Sequence, residues 1–115
     1  MQTYYYVVYS NPVEGREEEY NAWYSNVHIV DALKIPGIVA ARRFRLAGAQ
    51  RFGPPYPWKY MALYEFETDT PEETLRILKE RSGSPEMVVS DAFGPGHIGF
   101  VFEPITPRLR SEQVR

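Results

Sequence analysis

At 115 residues the chain has room for one hydrophobic core and no second domain, so a nucleotide-binding module joined to a separate substrate module is ruled out. Hydrophobic residues at 43%, charged residues at 24% and a net charge of -2 describe an ordinary globular protein and disfavour nucleic acid or an anionic membrane as partner. Cys 0 removes disulfides, thiolate nucleophiles, iron–sulfur clusters and thiolate-held zinc, whereas Tyr 9, Phe 6 and Trp 2 supply an unusual number of rings suited to a pocket wall or an interface.

Thr3 to Ser10 (TYYYVVYS) is aromatic and β-branched over a strand length and is stopped by Asn11 and Pro12. This stretch carries none of the regions of a signal peptide, and no apolar run reaches the length of a membrane span; a cytoplasmic location needs no further assumption. From Glu14 to about Ile35 the apolar spacing predicts one long helix, with Glu17, Glu18 and Glu19 near its positive end and Pro36 and Gly37 closing it. Ile38 to Leu46 alternates as a second strand. Ala47 to Pro57 reads as a long hairpin loop, and Trp58 to Glu67 as a third strand. Thr70 as cap and Pro71 at the first position start a second helix that runs to about Arg81. Ser84 to Pro95 reads as a connection with room for one more turn. Gly96 to Glu103 is a fourth strand, closing a single domain over residues 1–105, and 106–115 form a polar tail.

The order β-α-β-β-α-β predicts an α+β, ferredoxin-like domain: four antiparallel strands with both helices on one face. Strand three sets Trp58, Tyr60, Ala62, Tyr64 and Phe66 against Lys59, Met61, Leu63, Glu65 and Glu67, so both of its sides carry apolar residues. A sheet apolar on both faces with helices for only one calls for a partner subunit, and a homodimer through the helix-free face is expected.

At 100° per residue the first helix gathers Tyr20, Trp23, Tyr24, Val27, His28, Val30 and Asp31 on one broad inward face, with Asp31 at its middle. Such groups must pair or face a wet cavity. In one reading His28 is a general acid or base orientated by Asp31, with the Tyr24 phenol donating to developing oxygen charge. In the other, Asp31 bonds an arginine of strand two, His28 bonds a backbone carbonyl, and nothing reacts.

The run Asn21 to Leu46 (NAWYSNVHIVDALKIPGIVAARRFRL) resembles the signature of EthD-like proteins of the dimeric α/β-barrel superfamily, on Trp23, Tyr24, His28, Asp31, Pro36, Gly37, Arg42 and Arg43. The resemblance covers about a quarter of the chain. It implies a homodimer joined sheet to sheet, with a pocket between the sheet and helices of each subunit, and leaves the reaction open among cofactor-free oxygenases, isomerases, lactonising enzymes, polyketide cyclases and haem-handling proteins.

On strand two alternation sends Arg43 and Arg45 to one face and Arg42 with Phe44 to the other; Arg43 is the better candidate to hold a substrate oxygen, against an internal ion pair with Asp31 or Glu65. His97 follows Gly94-Pro95-Gly96 as a rim residue or a plain strand-end histidine, and a two-His, one-carboxylate iron site from His28, Asp31 and His97 has no ligand motif behind it. Phe52, Tyr56 and Trp58 read either as a lid over a flat ligand or as a dimer rim. Phosphate loops, nucleophile elbows and dinucleotide fingerprints are absent from the sequence. The expectation is therefore an enzyme without metal or cofactor, performing isomerisation, dehydration, cyclisation or decarboxylation; that its substrate is a small aromatic or polyketide-like molecule is chiefly what the resemblance implies. Catalysis falls to His28, Asp31 and Tyr24, and substrate binding to Trp23, Arg43, Tyr20, Tyr56, Trp58 and His97. A non-catalytic binder of a hydrophobic ligand and a cofactor-free oxygenase are the alternatives.

Overall fold

Aromatic and β-branched residues in alternation give four strands in the computed structural model, which describes residues 1–115: β1 (Gln2–Ser10), β2 (Ile38–Arg45), β3 (Tyr60–Thr68) and β4 (Ile98–Phe102). They form one antiparallel sheet in the order β2-β3-β1-β4. With helices between β1 and β2 and between β3 and β4, this is the ferredoxin-like α+β fold.

Register decides which side chains meet. Tyr6 pairs with Tyr64 and Val8 with Ala62, and across the other edge Val8 pairs with Gly99. Tyr60, Ala62, Tyr64 and Phe66 are thereby buried under the helices, while Met61, Leu63 and Glu65 between them are only half-buried. A side chain at Gly99 would meet the Tyr6 ring, its Cβ only 2.6 Å from the hydroxyl, so the bare backbone of β4 makes room for that phenol.

The first helical stretch departs from the expected single regular helix over 14–35. It runs as α1 (Glu17–Trp23), a π turn over Tyr24–His28, and α2 (Ile29–Ala32). The one extra residue in the π turn sets everything after it back by about 100° relative to a regular helix. Val30, expected inward, is therefore exposed, and Ala32 takes the buried position instead; Val27, inside the turn and also expected inward, is exposed as well. Gly37 then turns the chain into β2 with φ +97°, and a Cβ there would lie 2.5 Å from Thr74 Oγ1 of the second helix.

That second helix, α3 (Pro71–Arg81), starts and stops where its Pro71 and the Ser82-Gly83 pair predict. Thr70 occupies its cap position without a side-chain capping bond. The connection 84–95 is more than a link: Met87 and Ala92 are buried in the core, and Phe93 bridges back to Pro12. Residues 103–115 are exposed throughout, with one 3₁₀ turn at Ser111–Gln113. No helix is long and apolar enough to cross a membrane.

Candidate functional site

Between the helix side of the sheet and the helices lies a cavity of about 470 Å³. Tyr6 and Tyr64 come up from the strands, and Trp23, Tyr24 and His28 come from α1 and the π turn. Leu75, Leu78 and Lys79 of α3 form a further wall, and Phe93 and His97 close the side toward β4. Tyr24 and His28, four residues apart at the two ends of the π turn, share the cavity side, their rings 5.1 Å apart and edge to face at 89°. Trp23 packs against both rings, 4.8 Å from His28 and 5.2 Å from Tyr24, and its indole N–H is tied to the Val88 carbonyl at 3.0 Å.

Phe93, which the sequence does not single out, is the hub of this cluster. Its ring lies 5.5 Å from Trp23, 5.9 Å from Tyr24 and 4.5 Å from His97, so it joins the first helix to the entry of β4. Tyr6 and Tyr64 were legible only indirectly, Tyr64 through its place on the inward side of strand three. Nothing periodic marks Phe93; its one signal is an aromatic residue immediately before Gly94-Pro95-Gly96.

Asp31 does not orientate His28 and does not pair with Arg43. The 100° setback carries its carboxylate off the cavity face to Lys34, with Nζ at 3.5 Å. Arg43 does face the helices, as alternation requires, but it sits behind the cavity wall rather than in it. Its guanidinium stacks on Tyr24 at 4.4 Å, Tyr20 at 5.2 Å and Tyr60 at 5.3 Å, and one NH group donates to Ser25 Oγ at 2.8 Å. Arg42 lies on the opposite face over Phe44 at 5.4 Å.

Tyr20, expected to bind substrate, is fully buried behind Tyr24 with its hydroxyl on Ser10 Oγ, and it supports the wall without reaching the cavity. Tyr56 and Trp58 are not at the cavity either. Asn11 pins the loop by donating to the Pro57 carbonyl at 2.8 Å and accepting from the Lys59 N–H at 2.8 Å. This holds Trp58 outside β3, with its ring 5.5 Å from Tyr9 on the helix-free side. The lid reading therefore fails, and the aromatic residue sits where an interface rim would lie. His28, Asp31 and His97 are not gathered into a group able to hold a metal ion.

The protonation states follow from burial. Burial holds the His28 imidazole down to about 4 from its ordinary 6.5, with the Arg43 charge adding to the effect and Asp31 opposing it. Burial likewise pushes the Tyr24 phenol up to about 12, against the pull of the Tyr64 hydroxyl and the Arg43 guanidinium. Tyr64 is raised as well, chiefly by burial and then by Tyr24. At neutral pH the inner wall thus presents an uncharged imidazole and uncharged phenols. His28 Nδ1 and the Tyr64 hydroxyl are enclosed and have no hydrogen-bond partner in the protein.

No protein-family model and no curated protein matches the chain. Among solved structures it is similar to an EthD (ethyl tert-butyl ether D) family protein from Bacillus halodurans, at 15% identity over 91% of this chain and 100% of that one, with a TM-score of 0.64. It is also similar to a candidate antibiotic biosynthesis monooxygenase from Nitrosomonas europaea, at 15% identity over 92% and 93% of the two chains and a TM-score of 0.63. A dimeric ferredoxin-like protein of unknown function from Jannaschia sp. matches at 16% identity over 89% and 99%, with a TM-score of 0.59. Fold and comparisons define one class, a ferredoxin-like α+β domain built like the EthD-like proteins. At these identities the likeness speaks of the fold alone.

Proposed function

We propose that the cavity binds a small planar aromatic or polyketide-like molecule and that the protein catalyses proton-transfer chemistry on it, such as isomerisation, dehydration, cyclisation or decarboxylation. The observation that carries this reading is the convergence of Tyr24 and His28, both uncharged at neutral pH, on an aromatic-walled cavity of about 470 Å³. Flat rings on several sides favour a flat ligand, and the hydroxyl and imidazole suit an oxygen that gains charge during reaction. Incubation with a panel of phenolic and polyketide metabolites, in air and without it, followed by mass analysis, is the test. Loss of water or carbon dioxide, or an isomer separable by chromatography, is expected, and it should fall sharply in Tyr24→Phe. No conversion of any panel member overturns the catalytic reading.

One observation favours a second reading, a non-catalytic binder: Asp31 is engaged with Lys34, so no carboxylate orientates His28 for proton abstraction. Binding without conversion in the same panel supports it. Oxygenation, the activity in the name of the Nitrosomonas europaea protein, corresponds to conversion in air alone.

The reading includes a homodimer through the helix-free face. The single chain exposes 8157 Å², whereas a folded protein of 13.4 kDa is expected to expose about 6,500 Å². The excess, roughly 1,600 Å², is shared between the exposed tail at 103–115 and the uncovered sheet face. Phe100 and Phe102 of the edge strand β4 stand 48% and 54% exposed on that face, and the dimeric Jannaschia sp. protein shares the fold.

A further inference from the structure

We propose that His28 stands in the neutral Nε2–H tautomer and presents that N–H to the cavity as a hydrogen-bond donor, so that the ligand group it takes is an oxygen acceptor, a carbonyl or phenolate, and not a proton to be removed. The tautomer half stands on the geometry of the ring; the ligand half rests on the cavity being the binding site proposed above.

The geometry begins at Nδ1, which is enclosed and has no partner. In a neutral imidazole the proton sits on one nitrogen, and the partner of the other nitrogen sets which one. Here no acceptor waits at Nδ1. A proton there would be an orphaned buried donor, a rarer situation in proteins than an under-satisfied acceptor. The carboxylate best placed along the helix to accept it, Asp31, holds Lys34. Nε2 is left as the nitrogen that carries the hydrogen and reaches the cavity.

The surroundings also oppose an imidazolium. Tyr24 and Asp31 share its helix; Arg43 approaches from β2 and Tyr64 from β3. Across the cavity stand Tyr6 on β1, Lys79 on α3 and His97 before β4. None of these except Asp31 carries negative charge at neutral pH. A second proton would have to sit on the enclosed Nδ1 beside the Arg43 charge, and burial adds to that cost. The lone pair, conversely, points into the protein, so His28 cannot accept a proton from a ligand without its ring turning over. With the Tyr24 phenol it makes a pair of neutral donors, an arrangement that stabilises charge on oxygen.

Long-range ¹H–¹⁵N correlation of the ring nitrogens in ¹⁵N-labelled protein reads this directly, with His28 assigned by its disappearance in His28→Leu. From about pH 8 to about pH 5.5 the expected His28 pattern is that of Nε2–H with a bare Nδ1, unchanged throughout. An Nδ1–H pattern, or a titration inside that window, overturns the tautomer. For the ligand half the probe is 9-fluorenone, a planar aromatic ketone, followed by tryptophan fluorescence. His28→Gln, whose amide N–H reaches about as far as Nε2, should keep affinity within about threefold, and His28→Leu should lose about tenfold. Equal loss or equal retention in the two variants overturns the donor role. If wild-type protein ignores fluorenone, the ligand half falls with the cavity reading, and the nitrogen spectrum alone decides the tautomer. Should His28→Leu fail to fold, the wild-type spectrum, assigned through His28→Gln instead, and the binding of that variant still decide both halves.

Discussion

Along β3 neighbouring residues live under different constraints. Tyr60, Ala62, Tyr64 and Phe66 are buried by helices of their own chain, whereas Met61, Leu63 and Glu65 lie on a face with no covering of their own. Both sets are rich in apolar side chains, yet one set makes the core and the cavity floor and the other makes surface. Hydrophobicity alone thus does not mark a core position in this chain. The residues that hold the fold are those opposed by α1 and α3, and the residues on the other side are available to a second copy.

The contrast is sharpest in single substitutions. Phe66→Ala, at a site with no exposure, should destabilise the chain by about 3–5 kcal/mol in urea denaturation; a loss under about 1 kcal/mol would mean that the helix side is not the core. His28 gives the next effect, through pH. Its folded pKa of about 4 lies below the ordinary 6.5, so the unfolded chain binds the proton more readily. The neutral ring's contribution is fully present above about pH 6.5 and is lost as pH falls toward 4. Between about pH 7.5 and 5 wild type should lose about 1–2 kcal/mol more than His28→Leu, and parallel curves for the two would show a solvated ring.

On the helix-free side the expected outcome is of another kind. Phe100→Glu should leave the far-ultraviolet circular dichroism unchanged and the fold within about 0.5 kcal/mol, while the mass in light scattering falls from dimer to monomer and the melting temperature stops rising with protein concentration. A wild-type protein that is already monomeric at micromolar concentration would end the comparison. Smallest of all is Asp31→Asn: its partner Lys34 is 69% exposed, and less than about 0.5 kcal/mol should be lost, with the His28 resonances moved only slightly.

Strand content and order were readable because alternation, Pro-Gly punctuation and Pro71 act locally. α3 begins at Pro71 and ends at Arg81 as its own residues dictate. The inward placement of Trp23, Tyr24 and His28 was readable because Trp23 precedes the irregular turn and four-residue spacing keeps Tyr24 and His28 on one side in either kind of turn. Asp31, Val27 and Val30 were misplaced because a helical wheel assumes one rotation per residue, and nothing in Tyr24–His28 (YSNVH) announces i→i+5 bonding. Trp58 was misplaced because the hydrogen bonds of Asn11, which are 46 and 48 residues distant in sequence, decide where strand β3 begins. Phe93 escaped because the connection 84–95 has neither period; it is a cavity wall by tertiary contact only.

The wide turn at Tyr24–His28 also has a bearing on chain length. A π turn is a helix holding one residue more than a regular path between the same ends requires, so removing one residue can undo it where no substitution would. Deleting Asn26 would let the chain close into an uninterrupted α-helix at the same span. Tyr24 and His28 would then stand three residues apart, still neighbours on one face, and the residues from Ile29 onward would keep their present directions. Between chains of this fold, a one-residue gap at this point would therefore be absorbed by the wide turn, leaving the tyrosine and the histidine on the same cavity and the helix after them in the same register.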